Sequence, residues 1–117
     1  MADQEREPTS KDADPLFSTL LAECPELWDV VEEFVHSLPD RVMTMQDALR
    51  DGSLDQLKML AHQLKGAGAS YGYQAISARA GEIEQAAHNG SIDDLAAKIA
   101  EVTALVARIQ EGLEKGQ

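Results

Sequence analysis

His62 is the residue of this chain whose neighbours are best suited to chemistry. Lys58 precedes it by about one helical turn, Lys65 follows it by almost a turn, and Gly66 comes next. No Asp or Glu occurs between residues 56 and 81, although the whole chain contains 21 acidic residues. A histidine in a weakly positive stretch of an acidic protein suits a site that must hold a phosphoryl group.

Helical periodicity predicts that the His62 side chain points to solvent. With Leu60 set at zero and about 100° per residue, His62 falls near 200°, almost opposite the apolar side of its helix. Lys58 and Lys65 fall on the side of His62, at about 160° and about 140°. A lone histidine in an apolar segment is more often a core residue, but this position argues against that. The apolar side is defined by Leu57, Leu60, Leu64, Ala67 and Tyr71.

Two glycines interrupt the helical pattern after His62. In a helix interior each costs about 1 kcal/mol relative to Ala, so Gly66 and Gly68 require an explanation. Gly66 follows His62 by one turn, and its missing side chain leaves the imidazole accessible to a partner. Close packing of a neighbouring helix is the alternative for both glycines. It suits Gly68 better, because that residue falls at about 80°, towards the core.

The rest of the chain is predicted to be all-α. Residues 1–13 are charged and nearly free of large apolar side chains, which predicts a disordered N-terminal arm before a bundle domain at 14–117. A short helix is expected to begin at Asp14-Pro15, and Cys24-Pro25 starts the next one. Apolar residues then recur with helical spacing. The predicted fold is an antiparallel up-and-down four-helix bundle with an additional short N-terminal helix.

Capping and breaking residues predict the helix boundaries. Gly52 and Asn89-Gly90 end helices, whereas Ser53 and Ser91 have the spacing of N-terminal capping residues. Pro39 is expected to begin a separate segment packed beside the bundle. The four long helices are predicted at 26–38, 53–71, 73–88 and 91–114, with the separate segment at 39–51.

Composition argues against several classes of function. A formal net charge of −11 disfavours nucleic acid and anionic membranes as partners, because both are bound by clustered Lys and Arg. The single cysteine, Cys24, cannot form an internal disulfide, and no segment has the apolar length of a signal core or a membrane span. We therefore expect a cytoplasmic protein, with a monomer as the default. The three histidines and one cysteine lack metal-ligand spacing, so no metal site is expected.

One stretch resembles the signature of the histidine-containing phosphotransfer (HPt) family: His62-Gln-Leu-Lys-Gly-Ala-Gly-Ala-Ser-Tyr-Gly72. That signature has His-x-Leu-Lys-Gly, then small residues, an apolar residue and Gly. Tyr71 departs from it, because Leu, Ile or Phe is more usual there. The flanking helices also fit, so the resemblance extends over about 25–113. The residues that match at the required offsets are Leu64, Lys65, Gly66 and Gly72.

The resemblance implies a phosphocarrier of a two-component phosphorelay rather than an enzyme. In such a protein His62 would accept a phosphoryl group through Nε2 from a receiver-domain aspartate and pass it to another receiver. Lys65 would screen the phosphoryl charge, and Gly66 would leave the imidazole accessible. The implied partners are response-regulator receiver domains and a hybrid histidine kinase. The receiver would supply Mg²⁺, so the chain would need no cofactor of its own.

Docking of a receiver would use surface near His62. Lys58 and Ala69 lie on the same side of the helix, and Met59 falls at about 260° on the same wheel. Met43, off the apolar face of the segment after Pro39, is a further candidate. Methionine suits adaptable interfaces, although filling irregular gaps in the core is an equal alternative.

Three other functions remain as alternatives. A degenerate HPt-like adaptor would bind a receiver without phosphotransfer, but intact His62, Lys65 and Gly66 argue against it. An autonomous kinase is disfavoured because no glycine-rich nucleotide loop is present. A bundle hydrolase or metal protein would need convergent carboxylates or histidines, and the motif region contains no acid. His36 and His88 are rival acceptors in principle, near helix C-termini, but neither has the Lys and Gly neighbours.

Overall fold

A computed structural model describes residues 14–116, so the predicted disorder of the arm at 1–13 lies outside the described residues. The described chain contains five α-helices and a short 3₁₀ turn, with no strand in that part. The helices are α1 (Thr19–Glu23), α2 (Trp28–Arg50), α3 (Leu54–Ser70), α4 (Gln74–Asn89) and α5 (Ile92–Glu114), and the 3₁₀ turn at Pro25–Leu27 leads into α2.

The four long helices form a closed antiparallel bundle. The helix α2 packs against α3 and α5, and α4 packs against the same two helices. Short turns connect α2 to α3, α3 to α4 and α4 to α5, and Gly52, Gly72 and Gly90 each adopt a positive φ there. The predicted all-α fold, an up-and-down four-helix bundle with a short N-terminal helix, is confirmed.

The predicted break at Pro39 is wrong, because α2 continues through this proline from Trp28 to Arg50. A proline inside a helix costs about 3 kcal/mol through a lost hydrogen bond and a steric clash. Burial on both sides of Pro39 offsets this, since each fully buried large apolar side chain contributes about 1.5–3 kcal/mol. One uninterrupted buried face spans the helix: Val31, Phe34, Val35, Leu38, Val42, Met45 and Ala48.

The short N-terminal helix begins later than predicted. Residues before Ser18 are not helical, because the Leu16 N–H donates to the Arg108 carbonyl at 2.9 Å and holds this segment along α5. Ser18 is the N-terminal cap of α1, and its Oγ accepts a hydrogen bond from the Leu21 N–H at 3.1 Å. Phe17 in this segment is exposed.

The starts of the helices after Gly52 and Gly90 are predicted correctly, but the expected side-chain capping hydrogen bonds are not formed. Ser53 and Ser91 are the N-terminal caps of α3 and α5, yet neither side chain makes a capping hydrogen bond. On α5 the apolar face is buried from Leu95 to Leu113, whereas Ile92 is exposed. On α4 the buried face includes Ile76, Ala80, Ile83 and Ala87.

An aromatic cluster supports the turn between α3 and α4, next to the signature motif. Tyr71, the departure from that motif, stacks on Phe34 of α2 with ring centroids 4.6 Å apart. Tyr73 lies beside the same ring at 6.2 Å, and burial raises the pKa of its hydroxyl to about 12. Tyr71 therefore fills the position of the usual apolar residue by packing across to α2.

Candidate functional site

The imidazole of His62 lies on the outside of the bundle, in the middle of α3. Its side chain is 67% exposed, as the helical wheel predicts. The buried face of α3 is rotated slightly from the predicted one, so Leu60, Ala67 and Tyr71 are only partly buried. The fully buried positions are Leu57, Ala61, Leu64 and Gly68. His62 still points away from all four, and its ring is accessible to a partner.

Glu84 of α4 binds the imidazole, although nothing in the sequence around His62 indicates this contact. His62 Nδ1 lies 3.0 Å from Glu84 Oε2. A carboxylate only accepts hydrogen bonds, so Nδ1 must be the donor. In the neutral ring the lone pair is then on Nε2, the other nitrogen. The contact therefore selects the tautomer whose lone pair lies on Nε2.

The same carboxylate also binds Lys65. Lys65 Nζ lies 3.1 Å from Glu84 Oε1. The hydrogen bond from Lys65 lowers the pKa of Glu84 from its ordinary value of 4.5, partial burial opposes this, and the His62 hydrogen bond lowers the pKa again. Glu84 is consequently a carboxylate at neutral pH, bridging the histidine and the lysine of the motif.

The stretch at 56–81 contains no acidic residue, but acidic side chains from outside it lie beside His62 in the folded protein. Glu84 reaches the site from the neighbouring helix, and Asp55 of α3 lines the same surface hollow as His62. The glycine at position 81 is part of this arrangement, since a Cβ there would lie 3.2 Å from Lys65 Cδ. The sequence carries Gly81 and Glu84 on one side of α4, but the register between α3 and α4 is a product of packing.

The two glycines of the motif have different surroundings. A Cβ added at Gly66 would meet no atom within 4 Å, as expected for a position that keeps the surface open. A Cβ at Gly68 would lie 2.6 Å from Ile76 Cγ2 and 3.1 Å from the Ser77 backbone nitrogen. The alternative of close helix packing therefore applies to Gly68, where α3 and α4 approach each other.

The predicted docking residues fall into two groups. Lys58 and Met59 line a hollow of about 350 Å³ beside His62, and the Met59 side chain is exposed. Ala69 is exposed on the same helix. Met43 is also exposed, but it lines a separate apolar groove between α2 and α5. Because the His62 hollow lies between α3 and α4, Met43 does not belong to the same surface.

The two rival histidines have different neighbours. His36 is exposed and lines a groove between α2 and α5, together with Gln110 and Glu114. His88 is at the end of α4, where its Nδ1 lies 3.2 Å from Lys58 Nζ. Among the described residues, neither of them has a carboxylate partner like the one that His62 has in Glu84. His88 nevertheless contacts a lysine of the site, which the sequence did not indicate.

Two other kinds of feature are absent from residues 14–116. No group of three or more His, Cys, Asp or Glu side chains in this range could hold a metal ion. None of the helices described is long and apolar enough to cross a membrane.

The bundle and its exposed histidine define the class of protein. A family model described as Hpt domain matches residues 29–112, more than two thirds of the chain, so this chain belongs to the Hpt domain family. Members of this family are phosphocarriers of two-component signalling rather than catalysts, and they interact with receiver domains and kinases. Neither the curated proteins nor the solved structures yielded a match to the chain.

Proposed function

We propose that this protein carries a phosphoryl group on His62 between two receiver domains of a phosphorelay. The phosphoryl group leaves a receiver phospho-aspartate: its P–O bond breaks, the aspartate keeps the electron pair, and a new bond forms from phosphorus to His62 Nε2. A second receiver aspartate then takes the group by the reverse chemistry. The chain has no kinase activity of its own in this scheme.

The observation that carries the proposal is the hydrogen bond between His62 Nδ1 and Glu84. It leaves the Nε2 lone pair on the exposed edge of the ring, where a partner can approach. When Nε2 attacks phosphorus, positive charge develops on the imidazole. The adjacent carboxylate of Glu84 stabilises that charge, because it is already in place before the reaction.

The remaining parts of the proposed site follow from charge and access. Lys65, released from Glu84 as the phosphoryl group arrives, screens the phosphoryl oxygens. The open surface at Gly66 and the exposed Met59 and Ala69 contact the receiver. The receiver supplies Mg²⁺, so this chain holds no cofactor. A single free cysteine, Cys24, fits the reducing cytoplasm that we propose as the location.

A transfer assay tests this function. Receiver domains are first labelled on their aspartate with radioactive phosphate by their partner kinases. The labelled receivers are then mixed with the full chain. We expect label that is lost in acid and stable in base to appear on the wild-type chain. His62→Gln should abolish it, whereas the matched control His36→Gln should retain it.

Two outcomes would overturn the carrier function. The first is wild-type protein that binds a labelled receiver but gains no label, which is the behaviour of a receiver-binding adaptor. The second is equal labelling of wild type and His62→Gln, which would put the acceptor elsewhere.

A further inference from the structure

The hollow beside His62 presents a cation that the signature motif does not include. Its described lining consists of Asp55, Lys58, Met59, His62 and Glu84. Lys58 is the one cationic side chain in that set, and Lys65 is not part of it. A group bound to the exposed edge of the imidazole and lying in this hollow would therefore be next to Lys58.

Helix geometry places the His62 ring over the turn that carries Lys58. In an α-helix the Cα–Cβ bonds tilt towards the N-terminus, so a side chain covers the turn before its own residue. Residues four apart have Cβ atoms about 5–6 Å from each other. A lysine side chain at position 58 is long enough to reach an atom attached to the ring of residue 62.

Lys58 is also the lysine of the site that is easier to release from its present partner. Its Nζ donates to Nδ1 of His88 at 3.2 Å, and a ring nitrogen that accepts such a bond belongs to a neutral imidazole. Lys65 is bound to the Glu84 carboxylate, and a full negative charge attracts an ammonium group more strongly than a neutral ring nitrogen does. A phosphoryl dianion is a better acceptor for Lys58 than neutral His88.

We propose that Lys58 is a direct ligand of the phosphoryl group on His62, and that His88 holds its ammonium group until the phosphoryl group arrives. This inference rests on the proposed function. Lys58 Nζ leaves His88 Nδ1 and donates to a phosphoryl oxygen once the bond from Nε2 to phosphorus has formed. Glu84 stays on Nδ1, while Asp55, about one turn before Lys58 on α3, gives the hollow a second carboxylate.

The test uses phosphoramidate, which phosphorylates the full chain without a receiver. Its N–P bond breaks, ammonia leaves, and the phosphoryl group binds His62 Nε2. The pH titration of the phosphohistidine, in which the ring nitrogen Nδ1 loses its proton, is then followed through its ³¹P signal. Loss of an adjacent cation favours the protonated form, so Lys58→Gln should raise the midpoint by about 0.2 to 0.7 pH units. Lys58→Arg should restore it, and Lys115→Gln, the same charge change at the end of α5, should leave it unchanged.

A second measurement separates direct contact from a general effect of charge. The ¹⁵N signal of His88 Nδ1 should shift when the wild type is phosphorylated, because its donor leaves, and should not shift in Lys58→Gln. An unchanged ³¹P midpoint in Lys58→Gln, or an unchanged His88 signal in the phosphorylated wild type, would overturn this role of Lys58. Either result would leave the carrier function intact. A wild type that takes no phosphoryl group on His62 would overturn both.

Discussion

The proposed chemistry of the site depends on a carboxylate that is distant in sequence from the histidine. His62, Lys65 and Gly66 were identified from spacing within one helix, where 3.6 residues per turn determine which side chains are neighbours. Glu84 lies 3.0 Å from His62 Nδ1 and 3.1 Å from Lys65 Nζ, and it determines which ring nitrogen carries the proton. A site described as weakly positive is in fact a charge-balanced group of histidine, lysine and glutamate.

Glu84→Gln tests this role at the level of the residue. We expect transfer to His62 to slow by about two- to fivefold, the size of effect typical of partly exposed charge pairs. The pKa of Glu84 is lowered in the folded chain, so its contribution to the free energy of unfolding is fully present above pH 4.5 and is lost as the pH falls through the folded-state pKa.

Urea unfolding of wild type and Glu84→Gln at a series of pH values measures that contribution. The difference in stability between the two proteins should disappear on acidification below pH 4.5, where the wild-type carboxyl becomes protonated. Glu111→Gln, an exposed position on α5, is the matched control. A difference that stays constant from neutral to strongly acidic pH would contradict the assigned ion pairs.

At the level of the helix, α2 and α3 show where local sequence rules hold and where packing overrides them. Pro39 is a helix breaker by propensity, yet α2 continues through it because the apolar residues on both sides share one buried face. In α3 the two glycines have the same helical propensity but opposite surroundings. Propensity alone therefore cannot predict what each glycine contributes.

Replacing each glycine of α3 with Ala should give effects of opposite sign. Gly66→Ala adds a methyl group to open space and is expected to raise the free energy of unfolding by up to about 1 kcal/mol. Gly68→Ala forces α3 away from Ile76 and the Ser77 backbone, which should lower the free energy of unfolding by about 1–3 kcal/mol. Chemical denaturation of both variants is the measurement. Equal effects of the two substitutions would refute the close approach of α3 and α4.

For the whole molecule, the segment before α1 ties two distant parts of the bundle together. Leu16 donates from its backbone to Arg108 on α5, while Ser18 Oγ donates to the Tyr71 carbonyl at the turn between α3 and α4. The Thr19 N–H donates to the Gly72 carbonyl at 3.0 Å. This segment thus links the C-terminal half of α5 to the end of the motif helix.

Gly112→Ala tests that link. A Cβ at this position would collide with the backbone carbonyl of Leu16, and a backbone atom cannot move aside as a flexible side chain can. We expect a loss of about 1–3 kcal/mol in the free energy of unfolding, measured by thermal or urea denaturation. Gly66→Ala is again the control, since it makes the same change on a helix surface with no neighbour. A stabilised Gly112→Ala variant would show that the segment does not pack there.

The sequence by itself determined that the chain is helical and which residues share a face with His62. Both depend on the fixed geometry of a single helix, so the exposed imidazole, Lys65 and the open Gly66 could be placed without a structure. Only the tertiary structure decided which side chains reach the site from α4, because the register of two packed helices is a property of their shared core. Glu84 and His88 follow from that register, whereas the continuous α2 and the separate position of Met43 follow from the packing of α2 on the rest of the bundle.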